Sequence, residues 1–593
     1  MKRFLPLLIL PAIAQAATWT VTSTGDDAAD PATLRGAIAA AADGDTITFD
    51  ASLAGETIAL TTASGAIEID KSLAIVGPED DPVTIDGLGG AGGACAYAGG
   101  SRTIGLLHAS DPDATLTLKN LVFTGAKGNS GGAAADVGPA VSILGSAVID
   151  NCCWTNNAIS QQNISYNAST GDGGACLRVV GDLTLANCVF VDNGMNSAVC
   201  SIGGDVAALG ENVTVSDCVF DGFYGWDRQK PGNSIRGGGG IGILGSTSAA
   251  TKNIRIERCF FRDLWANAGA AGVFVRSDVT GGTIIFRDSV FREMRGYTAN
   301  QYSSGGGVVS YEGSGSPRFL FENCEFSHVA STAWGGSVRV SSGNATVVFA
   351  NCTFAACTGN EWGSATDTRC ATYIVNCTAV GNVNRSTQNR GSVFFCISTP
   401  HYLLNSVCAW NYRNNGGLLE DSVRYDNTLG VYNSYNHATG NAPNVTDNAM
   451  DYDSDTAMFA ESLDSIDSFT TSGQNWSFAA AITVPVLSVD AKAEAKDPAM
   501  RRVVEIASKK DGGVLDQAGW PVKHSEDWSS IAYTKDGGAT WTALVGNVAD
   551  ATILVTADSR GVAYPMSSST GLPKSPIGSA AVLADSPTLL LVF

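Results

Sequence analysis

Short runs of alternating apolar and polar residues recur along the chain, and each ends at a polar residue. In most copies Cys follows this residue directly and an aromatic residue comes two positions later. In one copy, Leu183 and Leu185 precede Asn187, and Cys188 and Phe190 follow it. Alternation with period two is the pattern of a strand with one buried face. The buried positions change parity at Asn187, which a straight strand cannot accommodate. The pattern therefore predicts a corner at the Asn, a residue that tolerates the left-handed backbone conformation.

This pattern repeats at intervals of 25 to 41 residues, with no helical periodicity between the copies. The copies are centred on Asn120, Asn151, Asn187, Asp217, Arg258, Asp288, Asn323, Asn351, Asn376, Asn405 and Asn433. Each repeat is predicted to form a strand, a corner, a second short strand and a loop of variable length. The fold class is thus predicted as all-β, a right-handed parallel β-helix. Roughly 13 coils stacked about 4.8 Å apart would give a rod about 60 Å long.

The chain contains 15 cysteines, and their spacing argues for a structural role. We expect seven of them to stack as an inward column of small apolar side chains, beside an aromatic column from Phe123 to Phe354. The column consists of Cys152, Cys188, Cys218, Cys259, Cys324, Cys352 and Cys377. A metal array is not expected, because no Cys-x-x-Cys or histidine spacing accompanies it. Whether off-column cysteines such as Cys176, Cys200, Cys370 and Cys396 form disulfides stays open.

The N-terminal part is predicted to contain an export signal and a cap. Residues 1–16 combine a basic start, a short apolar run and a small-residue cleavage pattern, which is typical of a signal peptide. Residues 17–56 are predicted to form the cap, with a short helix over residues 32–42, Asp30 as its N-cap and Pro31 at the first helical position. The β-helix is assigned to residues 57–445.

Several N-terminal segments resemble those of known proteins. They are residues 21–24, 33–38, 44–49, 67–78 and 83–87, together with the Phe-x-x-Asn segment at 190–193. The first five resemble the N-terminal part of bacterial right-handed β-helix (pectin-lyase-like) surface and secreted proteins. The last, with the Gly-Gly runs, is similar to the repeats of polymorphic outer-membrane proteins. The resemblance implies a β-helix that is secreted, extracellular or associated with an outer membrane.

Composition changes after about residue 445, where the repeat stops. Residues 446–528 are predicted to form a linker or C-terminal cap, in which residues 494–511 make a short helix or an irregular cap. Residues 529–593 show period-two runs and are predicted to form a small β-rich module.

The charge excludes some partners. With 36 basic and 57 acidic residues the net charge is −21, which disfavours nucleic acid and anionic lipid. No segment is apolar for long enough to predict a transmembrane helix. Asp451, Asp453 and Asp455 alternate as in calcium loops, but Thr456 replaces the usual Gly and Ser462 the usual Glu. Ca²⁺ at this loop stays a hypothesis, and no other cofactor is expected.

One insertion is a candidate partner-binding loop. The repeat from Asp217 to Arg258 spans 41 residues, and the excess is rich in aromatic and basic side chains. They are Phe223, Tyr224, Trp226, Arg228 and Lys230. Aromatic faces suit sugar rings, whereas basic groups suit carboxylates. The alternative is that these aromatics pack against a neighbouring loop.

No catalytic motif accompanies this loop, and the five histidines recur in no pattern, so no catalytic residue is assigned. The leading interpretation is a non-catalytic secreted or cell-surface protein, adhesin-like or an envelope component, that binds a glycan or a protein. The alternative is a polysaccharide lyase or a glycoside hydrolase of the pectin-lyase-like fold, which would need paired carboxylates. The oligomeric state stays open.

Overall fold

The fold was examined in a computed structural model. It describes residues 16–61, 65–87, 105–126, 140–159, 176–195, 204–224, 239–245, 250–266, 270–296, 307–327, 329–331, 335–355, 357–359, 362–380, 382–384, 393–396, 401–404, 406–409, 412–413, 423–425, 429–432, 435–436, 469–471, 474–476, 522–536, 538–555, 580–582 and 589–591.

Three long parallel sheets dominate the described residues. Sheet 1 has 14 strands: Thr18–Val21, Thr46–Phe49, Leu73–Val76, Thr115–Lys119, Ser146–Asp150, Leu183–Ala186, Asn212–Ser216, Thr251–Glu257, Gly281–Arg287, Arg318–Glu322, Thr346–Ala350, Ala371–Val375, His401–Leu404 and Leu429–Tyr432. Sheet 2 has 12 strands: Ile67–Ile69, Leu107–Ala109, Val141–Ile143, Leu177–Val179, Val206–Ala208, Ile241–Ile243, Val273–Val275, Val309–Glu312, Val338–Ser341, Thr366–Thr368, Phe394–Cys396 and Val423–Tyr425.

Sheet 3 follows sheet 1 in each coil. Its strands are Thr57–Ala59, Val83–Asp86, Leu121–Thr124, Cys153–Thr155, Val189–Met195, Val219–Tyr224, Phe260–Ala266, Val290–Arg292, Glu325–Ser327, Thr353–Ala355, Thr378–Val380, Val407–Ala409 and Tyr435–Asn436. Short strands continue some coils: Ala158–Ile159, Arg295–Gly296, Ala330–Ser331, Thr358–Gly359, Val383–Asn384 and Tyr412–Arg413. Each coil therefore runs from sheet 2 to sheet 1 to sheet 3, and equivalent residues pair in parallel, as Leu183 does with Val213. The predicted all-β parallel β-helix is confirmed.

Two corners carry left-handed residues, the first in nine coils of the described part of the chain and the second in six of them. The first is the predicted one: Asn151, Asn187 and even Arg258 have φ of 53–54°. The second lies five residues later and was not predicted, for example at Asn156 (φ 54°) and Asp192 (φ 52°). The residue after the second corner points inward. Where it is Asn193, its amide donates to the carbonyl of Trp154 at 3.0 Å.

The interior consists of stacked columns. Consecutive aromatic rings of sheet 3 lie 4.7 to 5.1 Å apart, centroid to centroid. This column is Phe123, Trp154, Phe190, Phe220, Phe261, Phe291, Phe326 and Phe354. All seven cysteines of the predicted column are buried as free thiols. The distance between neighbouring rings matches the expected rise of about 4.8 Å from coil to coil, so equivalent residues of consecutive coils lie in register along the rod.

The cysteine column also makes hydrogen bonds that the apolar interpretation did not include. The amide of Cys188 donates to Sγ of Cys218 at 3.4 Å, and that of Cys152 to Sγ of Cys188 at 3.5 Å. Ser289 occupies the same column, and its hydroxyl accepts the amide of Cys259 at 3.1 Å. In the coils of Cys152, Cys188, Cys259 and Cys377, the column therefore satisfies the N–H group that directly follows the first corner.

A short helix, Leu34–Ala40, covers the first coil with Leu34 and Ala37 fully buried. Its N-cap is Thr33, whose hydroxyl accepts the amide of Gly36 at 3.1 Å, and not the predicted Asp30. Asp30 and Pro31 form the turn before the helix, because the carbonyl of Asp30 already accepts the amide and hydroxyl of Thr33. A 3₁₀ turn, Ala51–Leu53, follows the second strand.

The C-terminal part contains an antiparallel sheet. Its strands, in spatial order, are Thr542–Val545, Ile531–Tyr533, Val522–His524 and Ile553–Val555. We call residues 522–555 the C-terminal module. It begins within the segment interpreted as linker, so the predicted boundary at residue 529 lies one strand too late. Two further hairpins pair Phe469–Thr471 with Gln474–Trp476 and Ala580–Val582 with Leu589–Leu591. The short helix or irregular cap predicted over residues 494–511 lies outside the described residues.

The C-terminal module packs on the outer face of sheet 1. Outward positions of early coils are polar, as at Thr184 and Thr214, whereas later coils place apolar side chains there. These later residues form the apolar strip: Ile285, Leu320, Val348, Tyr373, Val375 and Leu404. Val522, Trp528, Ile531 and Tyr533 of the module bury against it. None of the helices described in the structure is long and apolar enough to cross a membrane.

Candidate functional site

The predicted partner-binding loop begins after Phe223, later in the chain than the repeat spacing from Asp217 to Arg258 indicated. Phe223 is 1% exposed and belongs to the core, so its assignment as a ligand-contacting residue is wrong. It pairs with Asn193 and Leu264 at the inward position after the second corner. Tyr224 ends the same strand, Val219–Tyr224. The Tyr224 side chain and Trp226, Arg228 and Lys230 lie outside the described residues.

Other predicted features also fall outside the described part. The candidate calcium ligands Asp451, Asp453 and Asp455 lie there, as does the signal-like segment 1–15. Among the described histidines, His108 contacts Glu68 at 2.8 Å, and His401 and His524 are buried. Within the described residues no three His, Cys, Asp or Glu side chains are grouped to hold a metal ion.

Charged side chains that no motif singled out form a row on the outer face of sheet 3. Because the aromatic column points inward, the residues on either side of each aromatic point outward. In four consecutive coils the residue after the aromatic is charged or polar, and in the last of these coils Glu325, the residue before the aromatic, is charged as well. We call these residues the charged row: Asp221, Arg262, Arg292, Glu325 and Ser327. The sequence signal was a charged residue next to the repeat aromatic, as in Phe261-Arg262.

The row is held by short ion pairs between neighbouring coils. Arg262 binds Asp221 through two hydrogen bonds, Nε to Oδ1 at 2.9 Å and Nη2 to Oδ2 at 2.6 Å. Arg292 Nη2 donates to Glu325 Oε1 at 2.6 Å, and the hydroxyl of Ser327 donates to the same oxygen at 2.6 Å. Such bidentate and charge-assisted bonds fix the direction of each guanidinium.

Arg262 and Arg292 are direct register partners. Like charges opposite each other are unfavourable, so each arginine depends on the carboxylate on its far side. The order along the rod is acid, base, base, acid. Burial raises the pKa of the Asp221 carboxyl, and its bonds with Arg262 oppose that shift.

One atom of the row lacks a partner. Glu325 is 0% exposed, and its Oε2 is buried without any hydrogen bond, although Oε1 accepts from Arg292 and Ser327. A buried carboxylate oxygen without a donor is costly and is the kind of exception that calls for a ligand, a water or a cation. The site therefore offers an acceptor beside guanidinium donors.

The row borders a separate cluster of buried apolar side chains on the same outer face of sheet 3. This cluster contains Val122, Cys153, Val189, Val219, Phe260 and Val290. Cys153 and Val219 are fully buried although they point away from the core of the rod. Burial raises the pKa of the Cys153 thiol to about 12, so it stays protonated. The outer face of sheet 3 thus consists of buried apolar side chains beside the charged row.

A second charged cluster lies on sheet 2. Arg339 is 1% exposed, contacts Glu312 and binds Asp367 through Nη1 at 2.6 Å. The guanidinium of Arg369 lies 5.3 Å from the ring centroid of Trp362. Since one guanidinium neutralises two carboxylates, this cluster has the features of a structural ion-pair network.

Neither cluster presents the carboxyl pair of a glycosidase. That chemistry needs one protonated and one ionised carboxyl group. In the charged row, Asp221 and Glu325 each form an ion pair with an arginine. The arrangement places hydrogen-bond donors and acceptors side by side.

No protein-family model and no curated protein matches this chain. Among solved structures, the crystal structure of pectate lyase Pel9A is similar over 65% of this chain and 80% of that chain. The sequence identity is 11% and the TM-score 0.28, values that carry no conclusion about activity. The resemblance to polymorphic outer-membrane proteins stays a prediction, and the β-helix assignment rests on the strand pairing of the chain itself.

Proposed function

We propose that this chain is a non-catalytic, secreted β-helix protein that binds a glycan at the charged row of sheet 3. The observation that carries the proposal is the pair of adjacent guanidinium groups, Arg262 and Arg292, which are 9% and 14% exposed and lie between the carboxylates of Asp221 and Glu325. An acceptor and a donor side by side match two neighbouring hydroxyl groups of a sugar ring: the carboxylate accepts from one, and the guanidinium donates to the other.

The ion pairs support the non-catalytic part of the proposal. A lyase or hydrolase at this row would need a side chain that gives or takes a proton. Asp221 and Glu325 are instead each held by the guanidinium of an arginine, which acts only as a hydrogen-bond donor. Export is supported by residues 1–16 alone, and sequencing the N-terminus of protein from the medium, expected to start at Ala17, tests it.

The test is binding of the purified full chain to a panel of neutral and acidic polysaccharides, with cleavage products assayed in the same samples. Glu325→Gln keeps the shape of the side chain but replaces the buried carboxylate. Its matched control is Glu68→Gln, at a carboxylate that is 65% exposed on sheet 2. We expect Glu325→Gln to weaken binding at least about tenfold, a loss of about 1.4 kcal/mol, and the control to bind like the parent.

Three results would overturn the proposal. Unchanged affinity in a correctly folded Glu325→Gln protein removes the charged row as the site. Release of shortened or unsaturated sugars by the parent protein shows an enzyme. Absence of binding to every polysaccharide in the panel removes glycans as the partner class.

A further inference from the structure

The C-terminal module meets the apolar strip of sheet 1 through a few large side chains. Trp528 is 1% exposed, Ile531 is fully buried and Tyr533 is 5% exposed. Opposite them, Tyr373 and Tyr402 stack with centroids 5.3 Å apart. The contact is apolar at its centre, and one hydrogen bond at its margin joins Arg318 Nη2 to the carbonyl of Asp527 at 2.9 Å.

Trp528 is held in an unusual conformation at this contact. Its φ is 57°, in the left-handed region that bulky residues rarely adopt. Hydrogen bonds of the turn maintain it: the amide of Trp528 donates to Ser525 at 2.9 Å, and the amide of Ser525 to Ser530 at 2.9 Å. Sparsely populated backbone conformations persist where the surroundings enforce them, and they concentrate at contacts that switch.

His524 lies directly on Trp528. The two rings stack with their centroids 3.6 Å apart, and Nδ1 of His524 lies 2.6 Å from the carbonyl oxygen of Ser525. If Nδ1 carries the proton, Nε2 is an acceptor; it is buried without a partner, as is Nε1 of Trp528. In the docked state, the acceptor on His524 and the donor on Trp528 are therefore both buried without a hydrogen bond, which weakens the contact.

The charged groups that face His524 come from sheet 1. They are Glu322 and Arg287, which form an ion pair of 2.8 Å with each other. Burial lowers the pKa of the His524 imidazole, Arg287 adds to this effect, and the Ser525 carbonyl and Glu322 oppose it. The carboxylate of Glu322 already binds Arg287, so a protonated His524 would place a second cation beside a carboxylate that is already neutralised.

We propose that the C-terminal module docks reversibly on sheet 1 and that protonation of His524 releases it in mildly acidic surroundings, exposing the apolar strip. The undocked imidazole has its ordinary pKa near 6.5, and the docked one a lower pKa. Protons therefore bind the undocked state more tightly. Docking has its full strength above pH 6.5 and weakens as the pH falls below that value.

Side-chain oxidation by hydroxyl radicals on the full chain, read out by mass spectrometry, tests this at about pH 7.5 and about pH 5. We expect oxidation of Trp528 and Tyr373 to rise several-fold at the lower pH. Tyr311 is fully buried in the core of the rod and serves as the reference that stays protected.

Variants separate release from general acid sensitivity. His524→Phe keeps a ring on Trp528 but cannot take up a proton, and His524→Gln is neutral and smaller. At least one of them is expected to show no pH response, whereas His108→Phe, at a histidine 25% exposed on sheet 2, keeps the response of the parent. The proposal is overturned if Trp528 and Tyr373 stay protected at the lower pH, if Tyr311 is oxidised together with them, or if both His524 variants respond like the parent.

Discussion

Substitutions at Cys218 distinguish a hydrogen-bonding column from an apolar one. The Sγ of Cys218 accepts the amide of Cys188 at 3.4 Å and donates to the carbonyl of Ser216 at 3.1 Å. That carbonyl also accepts the amide of Asn187, so it keeps a partner when the thiol is removed. The amide of Cys188, in contrast, has Sγ of Cys218 as its acceptor. Cys218→Ala therefore leaves one buried N–H group unsatisfied and removes one sulfur atom from the core.

These terms give an expected magnitude. A buried donor without a partner costs about 1–3 kcal/mol, and the lost sulfur adds packing free energy, so Cys218→Ala is expected to cost about 2–4 kcal/mol of unfolding free energy. Cys218→Ser retains an acceptor at the same place, as Ser289 and Ser406 do in their coils, where they accept amides at 3.1 and 3.0 Å. We expect the serine variant to lose about 1 kcal/mol or less.

Guanidinium unfolding under reducing conditions measures both variants, with the midpoint compared at constant slope. Ser289→Ala and Ser289→Cys form the matched pair at a position where serine is native: alanine is expected to destabilise and cysteine to be nearly neutral. The prediction is refuted if the Cys218→Ala protein is at least as stable as the Cys218→Ser protein and Ser289→Ala leaves stability unchanged. The column would then stabilise the fold by packing alone, without its hydrogen bonds.

Three further predictions concern the cap, the thiols and the core. Leu34→Asp is expected to destabilise the first coils by more than the about 2–5 kcal/mol of a buried Leu→Ala change, because it also buries an unpaired charge; an unchanged melting profile and unchanged protease resistance would contradict the capping role. The buried thiols of Cys188, Cys218 and Cys259 should resist alkylation in the native protein and react after denaturation, and rapid native labelling would contradict the coil register. Burial lowers the pKa of the His401 imidazole from 6.5 to about 4, so the folded protein favours the neutral ring. The free energy of unfolding is therefore expected to decrease by about 3 kcal/mol in total as the pH falls through this window. His401→Leu should remove that pH dependence in denaturant titrations, and an equal loss in both proteins would show that His401 is not its source.

The first corner could be predicted from sequence because one chemical type, Asn or Asp, recurs there beside a change of parity. The second corner could not, because its left-handed residues are chemically mixed: Gly125, Asn156, Asp192, Gly222, Asp263 and Glu293. Phe223 was misassigned for the same reason. Spacing located an insertion between Asp217 and Arg258, but only the second corner shows that Phe223 precedes the insertion and points inward.

The charged row and the docked module show a different limit. Ile284-Ile285-Phe286 and Phe319-Leu320-Phe321 are uninterrupted apolar runs, which indicate a strand buried on both faces. The sequence does not state what covers the second face, and Val522 to Tyr533 lie some two hundred residues away. Similarly, Asp221 and Arg262 are ordinary charged residues in sequence, and only the register shows that they are neighbours in consecutive coils.

The two corners also restrict how such a chain changes in length. Every inward column depends on the fixed spacing of the two corners, which lie five positions apart in each described coil that has both, so one residue gained or lost there would move Cys and Phe to the outside. The connections from the second corner to sheet 2 and from sheet 2 to sheet 1 are under no such restriction. Seven residues separate Ile241–Ile243 from Thr251–Glu257, for example, whereas two separate Val141–Ile143 from Ser146–Asp150. Growth or shortening without loss of register therefore proceeds by whole coils, and diversification by sequence exchange is concentrated in these two connections.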